Sequence, residues 1–561
     1  MNRSLAFSLA VVSTLLVASS QAQDLMPPDV AERLGLIEVW ARPIAAPAGA
    51  QSIVDQQLFV HEKDPDEFVE IVAPAKGAAA EPKAADAAST DPASTDAAST
   101  DAVGTDASST DAPQGKVLVR IASNRIAANG KVLGVEEAQR LASNEIRRLK
   151  RRGIEATTNV RTVPRVRLYS LANDGSLESR DAETGEPVWM VQVGDRRLLY
   201  GAIGVNEDYV SVTNGANLIQ VDAATGEVIA EVPTMGAPLL GAVNSADYAM
   251  IPTIGGGVEL IPLADMTRDP FREIVEGETL GLPTKAPGSS LIAWGTARGF
   301  VYVMETQGTP SVWFRLNTDG IVSGRIASAS GNRFFFGSEA GQVYGLQGTR
   351  SGKILWSIPF GEPFYNEPIV AGDQLLLRST YGNLFSLGID RGIMSWARPT
   401  PHVDDLLGAF GDHIFATSLT GSLAVIDRKT GKQVASLSEV RPDRLLVNKL
   451  TDRLYLVSES GDVQCLKQVG SDLPTFNIQP ELETKMEAEE APKPKAAASP
   501  FDPAGSDPFG AGGADPFGGG ADPFGGGGAD PFGGGAMDDP FGGGDAGGDM
   551  ADPFGANPFG G

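Results

Sequence analysis

V-R-L-Y-S-L-A-N-D-G-S-L-E-S-R-D-A-E-T-G-E-P-V-W-M-V, residues 166–191, contains the unit from which the fold is read. An apolar run over 166–172 meets Asn173-Asp174-Gly175, residue types that tolerate positive φ and so close a hairpin. Residues 176–181 return as a second strand. Asp181-Ala182-Glu183-Thr184-Gly185 makes the next turn, and Val188-Trp189-Met190-Val191 forms an outer strand.

The pattern recurs along the chain. Its apolar runs begin near Leu168, Tyr209, Tyr248, Leu291, Arg333, Gln374, His413 and Arg453, in steps of 39 to 43 residues. A helical repeat of that length would space apolar residues at 3.6, and these runs do not. Strand-like runs with turns at fixed offsets predict an all-β chain, an eight-bladed β-propeller with one four-stranded sheet per blade over 164–470. Blade two repeats the second turn as Asp222, Thr225 and Gly226, and blade seven as Asp427, Thr430 and Gly431. Blades five and six keep Gly352 with Trp356 and Gly392 with Trp396, the Trp four residues after the Gly as in blade one. An aromatic at a fixed outer-strand position packs on the neighbouring blade at low entropic cost.

The motif D-x-x-T-G-x-x-x-W resembles the pyrroloquinoline-quinone (PQQ)-type propeller repeat. Asp181, Thr184, Gly185 and Trp189 match it fully; blade two has Ala230 in place of Trp, and blade three departs most, over Asp265 to Ile274. The eighth copy stops after two strands, at 453–468, and an open blade would expose unpaired edges. Trp40-Ala41-Arg42-Pro43 repeats Trp396-Ala397-Arg398-Pro399, so residues 36–43 are expected to close blade eight, with 117–121 as the rival strand.

The flanking segments read differently. Residues 1–22 have the form of a secretory signal peptide: Arg3, an apolar stretch from Leu5 to Ala18, and a small-residue site near Ala22. The stretch is too short to span a bilayer, so an exported, periplasmic or cell-surface protein is expected. Residues 53–163 are expected to form a small α+β unit, with strands at 57–61, 68–72, 117–122 and 154–160 and an amphipathic helix from Val135 to Arg152. The helix ends in Arg147, Arg148, Lys150, Arg151 and Arg152, placed as the helix dipole favours or as a patch for an acidic partner. Two acidic arms should stay unfolded: 73–115, rich in Ala-Ser-Thr-Asp, and 471–561, ending in D-P-F-G repeats. The single aromatics of those repeats offer weak multivalent contacts. Much of the net charge of −26 lies in these arms, and nothing favours nucleic acid as a partner.

Quinoprotein dehydrogenases share this repeat, and the resemblance implies that they hold the quinone with Ca²⁺, an Asp base and commonly two adjacent cysteines. Here Cys465 stands alone. Asp404 and Asp405 after His402 read as a solvated turn, and His61, His402 and His413 lack metal-ligand spacing. The sequence therefore indicates no catalytic residue, cofactor or metal. The fitting resemblance is to non-enzymatic, BamB-like members, which implies a ring used as a docking surface for envelope proteins, as in outer-membrane protein assembly. This chain departs from them in lacking a lipid-anchor Cys and in carrying the extra N-terminal unit and tail. A monomeric protein-binding scaffold is expected, with Phe364, Tyr365 and Tyr381 as candidate contacts. A divergent quinoprotein and a polysaccharide or cell-wall binder stand as the alternatives.

Overall fold

The computed structural model describes residues 25–45, 47–73, 116–124 and 132–477. The expected signal peptide, most of the 73–115 insert and the D-P-F-G repeats lie outside the described residues. The described strands form eight antiparallel sheets, most of them four-stranded and traced as simple meanders, the architecture of a β-propeller. One meander runs Gly204–Val205, Tyr209–Asn214, Asn217–Asp222 and Val228–Pro233; the next runs Val243–Asn244, Tyr248–Thr253, Gly257–Pro262 and Phe271–Ile274.

Burial explains the lettering of these strands. The second and third strands of a sheet are covered on both faces, so Val210, Val212, Ile219 and Val221 are all buried and the run reads as continuously apolar. Fourth strands face solvent on one side and alternate, as Val228–Pro233 does.

The D-x-x-T-G turn is held by its own side chains. Asp181 Oδ1 accepts the Thr184 amide (2.7 Å) and hydroxyl (2.9 Å), and Asp222 and Asp427 do the same for Thr225 and Thr430. The Gly that follows has positive φ, and the Trp of the preceding sheet lies where a Cβ would sit. Trp40 covers Gly185, Trp189 covers Gly226, Trp356 covers Gly392 and Trp396 covers Gly431, each within 2.7 Å of the ideal Cβ position. Each indole N–H then donates 2.9–3.0 Å to the carbonyl three residues before that Gly: Ala182, Ala223, Ile389 and Arg428. Phe314 covers Gly352 in the same way.

Trp40 lies on the strand Leu36–Pro43, which pairs antiparallel with Asp462–Gln468, with a bulge between Glu38 and Trp40. Arg453, fully buried, adds a 2.8 Å ion pair to Glu183 in the first sheet's turn. The rival strand, Lys116–Ala122, pairs instead with Phe68–Ala73.

The N-terminal region differs from the sequence expectation. One strand, Ile53–Ala73, replaces the two short ones, and it pairs along its length with Thr157–Ala172. Its first half, opposite Arg165–Ala172, is the innermost strand of the first sheet, so the boundary drawn at 163/164 falls within continuous strands. At Asp64-Pro65 the pairing shifts register, and Asp64 and Asp66 both hold Arg165. The outer half joins Lys116–Ala122 and the helix Val135–Arg151 around Val69, Ile71, Ala138, Ala142 and Leu149.

Trp40→Ala is expected to cost about 3–5 kcal/mol, read as a fall in the urea midpoint, with Trp396→Ala close to it. An unchanged midpoint for Trp40→Ala would show that strand 36–43 does not hold that seam. Gly226→Ala should also destabilise, because it adds a Cβ 2.6 Å from Trp189 at φ +76°.

Candidate functional site: the turn-and-link face

In a four-stranded meander, the turn between second and third strands and the link to the next sheet emerge at the same end. Backbone hydrogen bonds tie these segments together across sheets. Gly215 donates to Leu199, Ile254 to Ala237, Thr380 to Pro363 and Leu419 to His402. Neighbouring first strands run parallel where Ala202 bridges Gly241 and Gly408 bridges Asn448, so the sheets share this end.

The face so formed is rich in exposed apolar side chains. Leu198 and Leu199 lie on the first link, the latter 88% exposed, and Met235 (65%) and Leu239 lie on the second. Ile254 caps the third sheet's turn beside them. Farther round, Tyr365, Tyr381 (65%) and Leu419 form a second group, with Leu419 packed over Gly382. Contiguous apolar surface is uncommon on soluble proteins, whereas scattered single residues are ordinary.

Of the candidate contacts read from sequence, Tyr365 and Tyr381 lie on this face. Phe364 does not: it is 2% exposed and meets Phe360 and Phe385 edge-on in the core. Backbone direction alternates between neighbours, so Phe364 turns inward where Tyr365 turns out. Leu198, Leu199 and Met235 escaped the sequence reading because residue type alone does not separate an exposed Leu from a core one.

The links into the sheets carry charge. Lys449 Nζ lies 2.5 Å from the Glu367 carboxylate, which Arg325 approaches at 3.9 Å, joining the links that lead into three sheets. Burial pushes the Lys449 ammonium down and Glu367 draws it back up. Near the opposite ends of the inner strands, Lys285 is lowered by burial and raised by Glu62 and Glu207. His61 is buried, with Nε2 2.8 Å from the Tyr169 hydroxyl and Nδ1 3.5 Å from Glu207. Burial raises Tyr169 to about 12. His402 and Asp404 are exposed. Cys465 is buried, and burial pushes its thiol up. Among the described residues no three His, Cys, Asp or Glu side chains group as metal ligands would, and no helix is long and apolar enough to cross a membrane.

The repeat, its turn chemistry and the stacked meanders define a PQQ-like β-propeller. Residues 297–470 match the family model described as outer membrane protein assembly factor BamB. Similar solved structures include BamB from Moraxella catarrhalis, 16% identical with a TM-score of 0.43 over 54% of this chain and 91% of that one. AztD from Citrobacter koseri is 10% identical with a TM-score of 0.39, over 51% and 90%. The computationally designed protein Ika8 is 14% identical with a TM-score of 0.41, over 53% and 92%. Comparison with curated proteins gives no significant match.

Asp405, on the seventh sheet's first strand, gives a pH prediction. Burial holds its carboxyl above the ordinary aspartate range, against the Leu406 amide, Arg378 and Asn366, which lower it. A carboxyl whose folded pKa is raised supports the fold at low pH, and that support is lost as pH rises through the folded value. Asp405→Asn should therefore gain stability relative to the parent at about pH 7 compared with about pH 4, in thermal unfolding at both. The same difference at both pH values would count against it.

Proposed function

We propose that this chain is an exported, non-catalytic propeller of eight blades that holds protein partners in the cell envelope through its turn-and-link face. The observation that carries this reading is the apolar clustering on that face, formed by loops on a ring fixed by the Trp-over-Gly contacts. In this reading residues 36–43 supply the fourth strand of the eighth blade, and Trp40 over Gly185 joins that blade to the first. Arg444, hydrogen-bonded to the Ile53 and Val54 carbonyls, supports the same closure at the inner strands. The ring acts as a monomer, exported with cleavage near Ala22. The BamB-like repeat is consistent with a docking role, including one in outer-membrane protein assembly.

A rigid docking face should lose its partner when its apolar residues are made polar. The test is affinity capture from envelope extract with the mature chain, the triple variant Leu198→Ser/Leu199→Ser/Met235→Ser, the double variant Tyr365→Ser/Tyr381→Ser, and Ile393→Ser at the opposite end of the sheets. Support is one captured protein that drops at least about tenfold with the triple or double variant and is retained by Ile393→Ser. Equal capture by all variants would remove this face from the function. Capture of a polysaccharide or a quinone instead would replace the protein-scaffold reading.

A further inference from the structure

The helix Val135–Arg151 packs its apolar side on the small N-terminal sheet and ends in Arg147, Arg148, Lys150, Arg151 and the following Arg152, all exposed. Only Arg148 has a carboxylate near it, Glu145 at 3.5 Å; the other four make no ion pair among the described residues. Arg147 and Arg151, and Arg148 and Arg152, are like charges four apart, an arrangement that weakens a helix. The helix dipole favours cations in the last turn, but it acts only there and is screened by salt. A cluster of five cations, four of them without an ion pair among the described residues, on a chain of net charge −26 calls for a further anion.

The cluster is presented rigidly. Arg152 and Ile154 donate to Leu149 and Gly153 donates to Lys150, so the helix end is closed. Arg147 and Arg151 project from the side opposite Ala138, Ala142 and Leu149, on the outermost layer of the unit. Leu141, earlier on the same helix, and Ile154, just past its end, are each 39% exposed. Guanidinium groups bind phosphate oxygens in pairs, and a flat array of phosphates meets a convex basic face without a groove. An acidic peptide would need a groove to order it, and these residues offer a helix face alone.

We propose that the basic end of this helix docks on a membrane surface bearing anionic phospholipid headgroups, as a second attachment separate from the protein-docking face. Attraction of this kind grows with each added cation and fades with salt.

The experiment is flotation of the full mature chain with phosphatidylglycerol–phosphatidylcholine vesicles and with pure phosphatidylcholine vesicles, at low and physiological salt. The variants are Arg147→Glu/Lys150→Glu/Arg151→Glu, the same three positions changed to Gln, and Arg196→Glu/Arg197→Glu as an equally exposed control. The expected result is binding to the anionic vesicles alone. That binding should fall at least about tenfold in the reversed variant, fall less in the Gln variant, which keeps helix propensity, and stay unchanged in the control. No flotation with anionic vesicles overturns the proposal, as does equal flotation of the reversed variant while circular dichroism shows it folded. Equal binding to phosphatidylcholine would show apolar insertion in place of charge, and retention on a polyglutamate matrix without flotation would reassign the patch to an acidic protein. None of these outcomes bears on capture of a protein by the turn-and-link face, so the two readings fail separately.

Discussion

The indole over a glycine is the contact on which the rest depends. It joins one sheet to the next with a large apolar area and a directed hydrogen bond, at a position where any Cβ would collide. The turn beneath must present that glycine at positive φ and aim a carbonyl three residues earlier at the indole. The Asp and Thr of D-x-x-T-G meet both demands by closing the turn on themselves. The motif is therefore a joint between sheets more than a mark of any ligand, and its presence says nothing of a quinone.

This accounts for which parts of the fold were legible. The motif is local, since its Asp, Thr, Gly and Trp lie within nine residues, although each joint sets the Trp of one copy over the Gly of the next, and so the sheets could be read from Asp181 to Trp189 and its later copies. Trp40 was legible for the same reason, through its repeated W-A-R-P. The first sheet's innermost strand was not. Residues 53–61 pair with 165–172 more than a hundred residues away, and no local signal separates such a strand from one belonging to the small unit. The surface was legible in part. Tyr365 and Tyr381 stand in loops whose polarity marks them as exposed, while Phe364 beside them needed the backbone direction to place it inside.

Where the joint is missing, other side chains fill its volume. At the second seam Ala230 stands in for Trp, and Met266 packs with Leu218, Ile251 and Ile261 beside it. A flexible thioether suits a site whose shape is no longer set by an indole. At the fourth seam Phe314 keeps the ring over Gly352. The charged links follow a different rule. Lys449, Glu367 and Arg325 come from the links into three sheets, and removing one of them would leave the others partly desolvated. Such groups set the relative placement of sheets more than they add stability.

The seventh seam shows how far this substitution goes. Ala435 occupies the position of the Trp, and the space beside it is filled by Met26, Val30 and Ala31 from the segment before strand Leu36–Pro43, with Phe410, Phe415 and Leu454. Gln464 on the eighth sheet holds both backbone groups of Met26 at 2.9 Å. One short stretch, residues 25–43, thus fills the seventh seam, adds a strand to the eighth sheet and sends Trp40 across to the first. Loss of that stretch would remove three contacts at once, so the seams on either side of the eighth sheet stand or fall together. Opening there would also disturb Tyr365 and Tyr381 less than Leu198, Leu199 and Leu419, because the first and seventh sheets border the seams that this stretch holds and the sixth sheet does not.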